Sequence, residues 1–198
     1  MAVEALNEFG IVYLLPKTVG NYHRELRLKI EKEFKLTGRT ELNAPSHITL
    51  KYRFQAEDIQ EVEEILQDFS TTQTKTRWSL NGFNYFTNSG SFVIFIDVIP
   101  SQETRKAHAQ FLDRLRQIGW MQWGPFDHAA IHYHVTLAHH GMTTENFDEV
   151  WAFVNQHKSP DIELFFDNLA LLKIDDGIHT VYKTYRFLDA EVGLQNAC

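Results

Sequence analysis

Cysteine is nearly absent from this sequence. The single thiol, Cys198, is the last of 198 residues, which rules out an intramolecular disulfide and argues against a cysteine-based metal centre. Long apolar runs are missing as well: no uninterrupted stretch approaches the ~20 residues of a membrane span. The opening Met1-Ala2-Val3-Glu4 lacks the basic region and apolar run of an export signal. A soluble, cytoplasmic protein with no membrane partner is therefore expected. No Pro/Gly/Ser-rich linker or low-complexity segment divides the chain, so residues 1–198 are expected to form one body of joined lobes, not independent domains. Positive charge is in deficit, with 19 Lys and Arg against 26 Asp and Glu and a formal net charge of −7. A grip on extended duplex nucleic acid relies on cations neutralising phosphates, so that partner is disfavoured. A small nucleotide or an RNA end held in a local basic cleft remains compatible, because net charge says nothing of its distribution.

What is present is an ordinary globular balance, 43% hydrophobic and 23% charged, arranged twice in the same order. The first passage, about residues 9–87, begins with an apolar strand from Phe9 to Leu15, stopped by Pro16. A helix follows from about Asn21 to Lys35, with Tyr22, Leu26, Ile30 and Phe34 at spacing four. Then come a strand from Ser46 to Phe54, a helix from Ala56 to Phe69 and a strand from Arg77 to Phe86, closed by the turn residues Asn88-Ser89-Gly90. The second passage, about 91–188, restarts with a strand from Ser91 to Ile99 and a helix from Ser101 to Ile118. It continues with a strand from Ile131 to Ala138 and a helix from Thr144 to His157 opened by a threonine cap. Two closing strands, Ile162 to Ile174 and Ile178 to Leu188, flank the hairpin signal Asp175-Asp176-Gly177. Whether strands are exchanged between the two lobes is left open by the pattern.

Each passage carries the same phrase in its second strand: His47-Ile48-Thr49-Leu50 and His134-Val135-Thr136-Leu137. Side chains alternate across a strand, so each phrase places a histidine and a threonine on one face and two aliphatics on the other. One His-x-Thr in a chain with ten histidines carries little. Two copies at equivalent places of a repeat carry much more. Two imidazoles titrating near ~6.5 can supply the base and the acid that phosphoester cleavage needs, with no metal required. Threonine at i+2 lies about 6.6 Å further along the same face, within reach of a non-bridging phosphoryl oxygen. Which histidine is the base is left open by this symmetry.

In these four residues, and in element order along nearly the whole chain, the sequence resembles the two-histidine (2H) phosphoesterase superfamily, which includes 2′-5′ RNA ligase-like proteins and cyclic nucleotide phosphodiesterases. The resemblance implies an α+β fold, bilobal with a pseudo-twofold axis, its two antiparallel sheets flanked by helices around a central cleft. It implies His47 and His134 as the catalytic pair, Thr49 and Thr136 as phosphate holders, and no cofactor. The expected activity is metal-independent hydrolysis of a cyclic phosphate or 2′-5′ phosphodiester of a nucleotide or RNA end by a monomer, with 2′-5′ RNA ligation as a reverse activity.

Continued alternation would bring Lys51 and Arg53 to the cleft rim beside His47 and Thr49, where they could offset phosphate charge; a solvated strand end is the competing reading. On the second strand His132 shares the face of His134, and Tyr133 points into the core. Two other classes stay open. His132, His134, His139 and His140 could ligate zinc or iron, which would leave His47-x-Thr49 unexplained, and a non-catalytic nucleotide-binding module would keep the cleft without turnover. The aromatic segments Trp78 to Phe86 and Trp120 to Phe126 offer stacking faces for a base or simply fill the core.

Overall fold

A computed structural model of the protein describes residues 6–36, 44–88 and 91–188. Cys198, the Ser89-Gly90 part of the expected turn and most of the loop between the first helix and the first motif strand lie outside the described residues. The elements run β1 (Asn7–Leu14), α1 (Lys17–Phe34), β2 (His47–Ala56), α2 (Gln60–Thr72), β3 (Thr76–Asn88), β4 (Ser91–Pro100), α3 (Gln102–Leu115), β5 (His134–Ala138), α4 (Phe147–Asn155), β6 (Asp161–Phe166), β7 (Asn168–Asp175) and β8 (Ile178–Arg186).

Two four-stranded antiparallel sheets result, in the orders β2-β1-β7-β8 and β5-β4-β3-β6. The fold is α+β and duplicated. β1 corresponds to β4 and β2 to β5, and each motif strand is an edge strand beside the strand that opens its own repeat. The strands are exchanged. β3, from the first repeat, joins the second sheet next to β4, and β7, from the second repeat, joins the first sheet next to β1.

This exchange corrects the expectation of one strand from Ile162 to Ile174. The run breaks at Asp167, and its two halves enter different sheets. The break is stabilised locally: the Asn168 side chain accepts from the Leu14 amide at 3.0 Å and donates to the Leu14 carbonyl at 3.2 Å, while the Phe187 amide donates to the Asp167 carbonyl at 2.9 Å. Three helix starts also differ. α1 begins directly after Pro16, whose φ of −55° already suits a helix entry. α2 begins at Gln60 because β2 continues to Ala56. α4 begins at Phe147 without a threonine cap, since a turn in which the Asn146 side chain accepts from the Thr143 amide at 2.8 Å occupies the expected first turn. The hairpin signal is realised, with Asp176 and Gly177 at φ of 50° and 77°, the left-handed pair that a tight two-residue turn requires.

One apolar core joins the two lobes. Trp78 from β3 packs on Tyr13 of β1, on Phe166 of β6 and on Tyr133, so its indole belongs to the core and offers no face to a ligand. Phe69 of α2 meets Phe111 of α3. On the opposite face of the first sheet, Val12, Ala170 and Leu172 form a small separate cluster flanked by Leu14. Register puts this cluster on the face of the first motif, since Val12 pairs with Thr49 and Leu14 with His47.

Candidate active site

The two phrases occupy matching frames. In β2, half-buried His47 and Thr49 alternate with buried Ile48 and Leu50; in β5, half-buried His134 and Thr136 alternate with buried Val135 and Leu137. The edge strands β2 and β5 contact one another across the two sheets, and His134 is near enough to His47 for its charge to oppose protonation there. On the second sheet His134 pairs with Asp97 and Thr136 with Phe95, so the first motif has aliphatic cross-strand neighbours and the second a carboxylate and a buried phenyl ring.

The rings are set identically. His47 Nδ1 donates to the Pro45 carbonyl at 2.7 Å, and His134 Nδ1 donates to the His132 carbonyl at 3.0 Å. A carbonyl can only accept, so Nδ1 carries the proton and the lone pair of each neutral ring sits on Nε2. In both cases the partner is the carbonyl two residues earlier, a local bond that fixes ring orientation from the strand itself.

Their electrostatics differ. Burial pushes His47 down to about 4; the Pro45 carbonyl pulls the other way, while His179 on β8, Arg27 on α1 and His134 on β5 add positive charge that opposes its protonation. Burial also lowers His134, with the His132 carbonyl and the Asp97 carboxylate favouring its charged form and the His132 and His139 rings disfavouring it. Two core histidines, His23 on α1 and His108 on α3, are pushed by burial to about 3 and about 4. Below the ordinary value near 6.5 an unfolded histidine takes up a proton that these folded rings refuse, so the unfolded state binds more protons and stability drops as pH falls. Thermal melts are expected to give a Tm that falls steadily from about pH 6.5 to about pH 4; a Tm constant over that window would contradict the neutral buried rings.

Of the three expected rim residues, Arg53 and His132 are exposed and Lys51 is not. Lys51 is fully buried, its Nζ donating to Asp127 Oδ2 at 2.9 Å and to the Gln122 carbonyl at 2.7 Å. The cause is a double register shift of β2 against β1, between Phe9 and Ile11 and between Ile11 and Val12. These bulges end the strict alternation, so Leu50 and Lys51 are buried in succession and Tyr52 and Arg53 exposed in succession. Arg53 lies toward His47 by way of His179, its Nη2 3.3 Å from His179 Nε2, whose ring centroid is 6.3 Å from that of His47. His132 is exposed and its Nε2 donates to Asp97 Oδ1 at 2.7 Å.

Several site residues escape the motif. Asp97 had one visible signal, a charge inside the apolar run of β4. Phe86 and Phe95 pack in a tilted pair with centroids 4.3 Å apart, and each lies 5.1 Å from the His134 ring; Arg27 and His179 stand on elements with no chemical pattern of their own. Tyr133 is core, as expected. The four-histidine metal set is not assembled: among the described residues no three His, Cys, Asp or Glu side chains converge on a common point. His132 faces Asp97, whereas His139 and His140 pack on each other at 4.7 Å.

Comparison with known proteins fits this geometry. A sequence model of the 2′-5′ RNA ligase superfamily matches residues 15–178. No curated protein matches the chain. Among solved structures, TT0787 of Thermus thermophilus aligns with a TM-score of 0.57 at 16% identity, over 92% of this chain and 99% of that one. E. coli LigT complexed with NADP+ aligns with a TM-score of 0.57 at 13% identity, over 92% of this chain and 99% of its own. At such identities the likeness is one of fold.

Proposed function

Because this chain belongs to the 2′-5′ RNA ligase superfamily of two-histidine phosphoesterases, we propose that it cleaves a cyclic phosphate or a 2′-5′ phosphodiester of a nucleotide or RNA end. The reaction proceeds without a metal, the enzyme acts as a cytoplasmic monomer, and 2′-5′ ligation is the reverse of the same chemistry. The observation that carries this reading is the matched pair of imidazoles, each with Nδ1 committed to its own strand and Nε2 left as the working nitrogen.

The unequal surroundings support a division of roles. His47, beside Arg27 and His179, resists a positive charge in the free enzyme and is the base. His134, beside Asp97, accepts one more readily and is the acid. His47 Nε2 takes a proton from water as the water oxygen bonds to phosphorus. His134 Nε2–H protonates the ribose oxygen as its bond to phosphorus breaks, and solvent resets both rings. Negative charge gathers on the non-bridging oxygens, where the Thr49 and Thr136 hydroxyls donate. Arg53 and His132 meet the substrate at the rim, and the half-buried Phe86 ring offers a base its stacking surface.

Turnover of 2′,3′-cyclic nucleotides and 2′-5′ oligonucleotides in excess EDTA tests the reading. Undiminished cleavage is expected; activity abolished by chelation and restored by one metal would replace it with a metalloenzyme. The pH profile is the second check. The productive state has His47 neutral, above about 4, and His134 charged, below its own depressed value. kcat/KM should therefore peak on the acid side of neutrality, with limbs that belong to the coupled pair. A profile flat from about pH 5 to 8 would reject the assignment.

A further inference from the structure

Two more histidines span the frame that holds the motif strands. His23 of α1 places Nε2 2.7 Å from the Thr136 carbonyl and Nδ1 2.8 Å from Ser46 Oγ. His108 of α3 places Nε2 2.7 Å from the Leu50 carbonyl and Nδ1 2.6 Å from the Tyr133 hydroxyl. The carbonyls can only accept, so each Nε2 is protonated and donates. Each Nδ1 then accepts from a hydroxyl whose alternative acceptor, the carbonyl of Gly20 or of Ala129, lies further away at 3.2 Å.

The two bridges repeat one design. Ser46 and Tyr133 are the residues immediately before His47 and His134, and the carbonyls belong to the opposite motif strand. Each helix histidine thus ties the start of its own repeat's motif strand to the strand of the other repeat. Both rings are buried, His23 at 2% and His108 at 0% exposure. A leucine would satisfy the apolar stripes of α1 and α3 without a polar ring to pair.

We propose that His23 and His108 are positioning residues that set the span between His47 and His134 by holding β2 and β5 at a fixed separation. This rests on the phosphoesterase reading for its catalytic consequence and on geometry alone for its structural one. The low values of about 3 and about 4 keep both rings neutral at pH 7, which preserves one donor and one acceptor per ring.

The test compares His23→Gln with His23→Leu and His108→Gln with His108→Leu. An amide keeps one donor and one acceptor, and leucine keeps neither. Misplacement by about 1 Å can cost about 10²-fold, so the Leu variants are expected to lose roughly 10- to 100-fold in kcat with KM changed far less, and the Gln variants to regain most of it. A second readout needs no substrate. His47 owes its low titration point to burial, so strands released from their ties let it rise toward about 6.5. NMR of the His47 ring should show this in the Leu variants and not in the Gln variants. Should a Leu variant fail to fold, Ser46→Ala and Tyr133→Phe remove only the donated hydroxyl and should shift kcat and the His47 titration in the same direction. Leu variants with wild-type kcat and an unmoved His47, or Gln variants as impaired as Leu, would overturn the proposal. A wild-type protein without turnover on any phosphodiester would reject the functional reading instead, and the His47 titration alone would then decide the positioning role.

Discussion

Alanine at either His47 or His134 is expected to slow phosphodiester cleavage by roughly 10²–10⁴-fold, the usual contribution of a positioned acid or base. Each ring is half-buried on an edge strand and, among the described residues, hydrogen-bonds through Nδ1 to a carbonyl two residues back, so its removal leaves the core intact and far-UV circular dichroism should be unchanged. The double variant should lose much less than the product of the single losses, because proton removal and proton donation serve one transition state. Thr49→Ala and Thr136→Ala leave both imidazoles in place and should cost less, up to about 10²–10³-fold if the hydroxyl meets the developing charge. The decisive measurement is single-turnover cleavage by folded His47→Ala and His134→Ala proteins; near-wild-type rates in either would end the paired-histidine mechanism.

Asp127→Ala is expected to destabilise the protein by about 3–5 kcal/mol, the range for breaking a buried ion pair from one side. Lys51 and Asp127 have side chains 0% and 2% exposed, and burial holds Lys51 below the usual lysine value against the pull of the carboxylate. Asp127 does more than neutralise. Its Oδ1 accepts from the Tyr52 amide at 2.8 Å and its Oδ2 from the Gly124 amide at 2.7 Å, so it pins the bulged part of β2 to the loop before β5. Removing it strands an ammonium and two amides. Lys51→Met strands a carboxylate that keeps both amide donors and should cost less than Asp127→Ala. Urea unfolding of the two single variants and the double measures the order, and equal losses would show that the backbone amides contribute nothing.

The alternation of the candidate site's motif strands was more legible in the sequence than the frame that carries them. His47, Thr49, His134 and Thr136 were legible because each motif strand buries one face, which makes period-two alternation physical. The same rule failed at Lys51, since a bulge changes register without any marker residue. The Asp176-Gly177 turn was legible because only a few residues tolerate left-handed backbone. The break at Asp167 was not, as apolar residues continue on both sides and hydrophobicity does not say which sheet a strand joins. His23 was hidden for a related reason. Spacing four drew attention to Tyr22, Leu26, Ile30 and Phe34, whereas the buried stripe of α1 is Val19, His23, Leu26 and Ile30, and a polar ring inside such a stripe is invisible without its partners.

The strand exchange has a consequence for how the chain acquires its shape. β1 takes β7 as its inner neighbour, with Glu8 opposite Ile174 and Val12 opposite Ala170, so the first sheet is finished only when nearly all the described chain has emerged from the ribosome. Until then β1 and β2 form a two-stranded ribbon, marginal in water on its own. Pairings so distant in sequence also slow folding. Cutting the chain between the repeats would give two fragments that each hold a strand belonging to the other, and neither could complete its sheet alone.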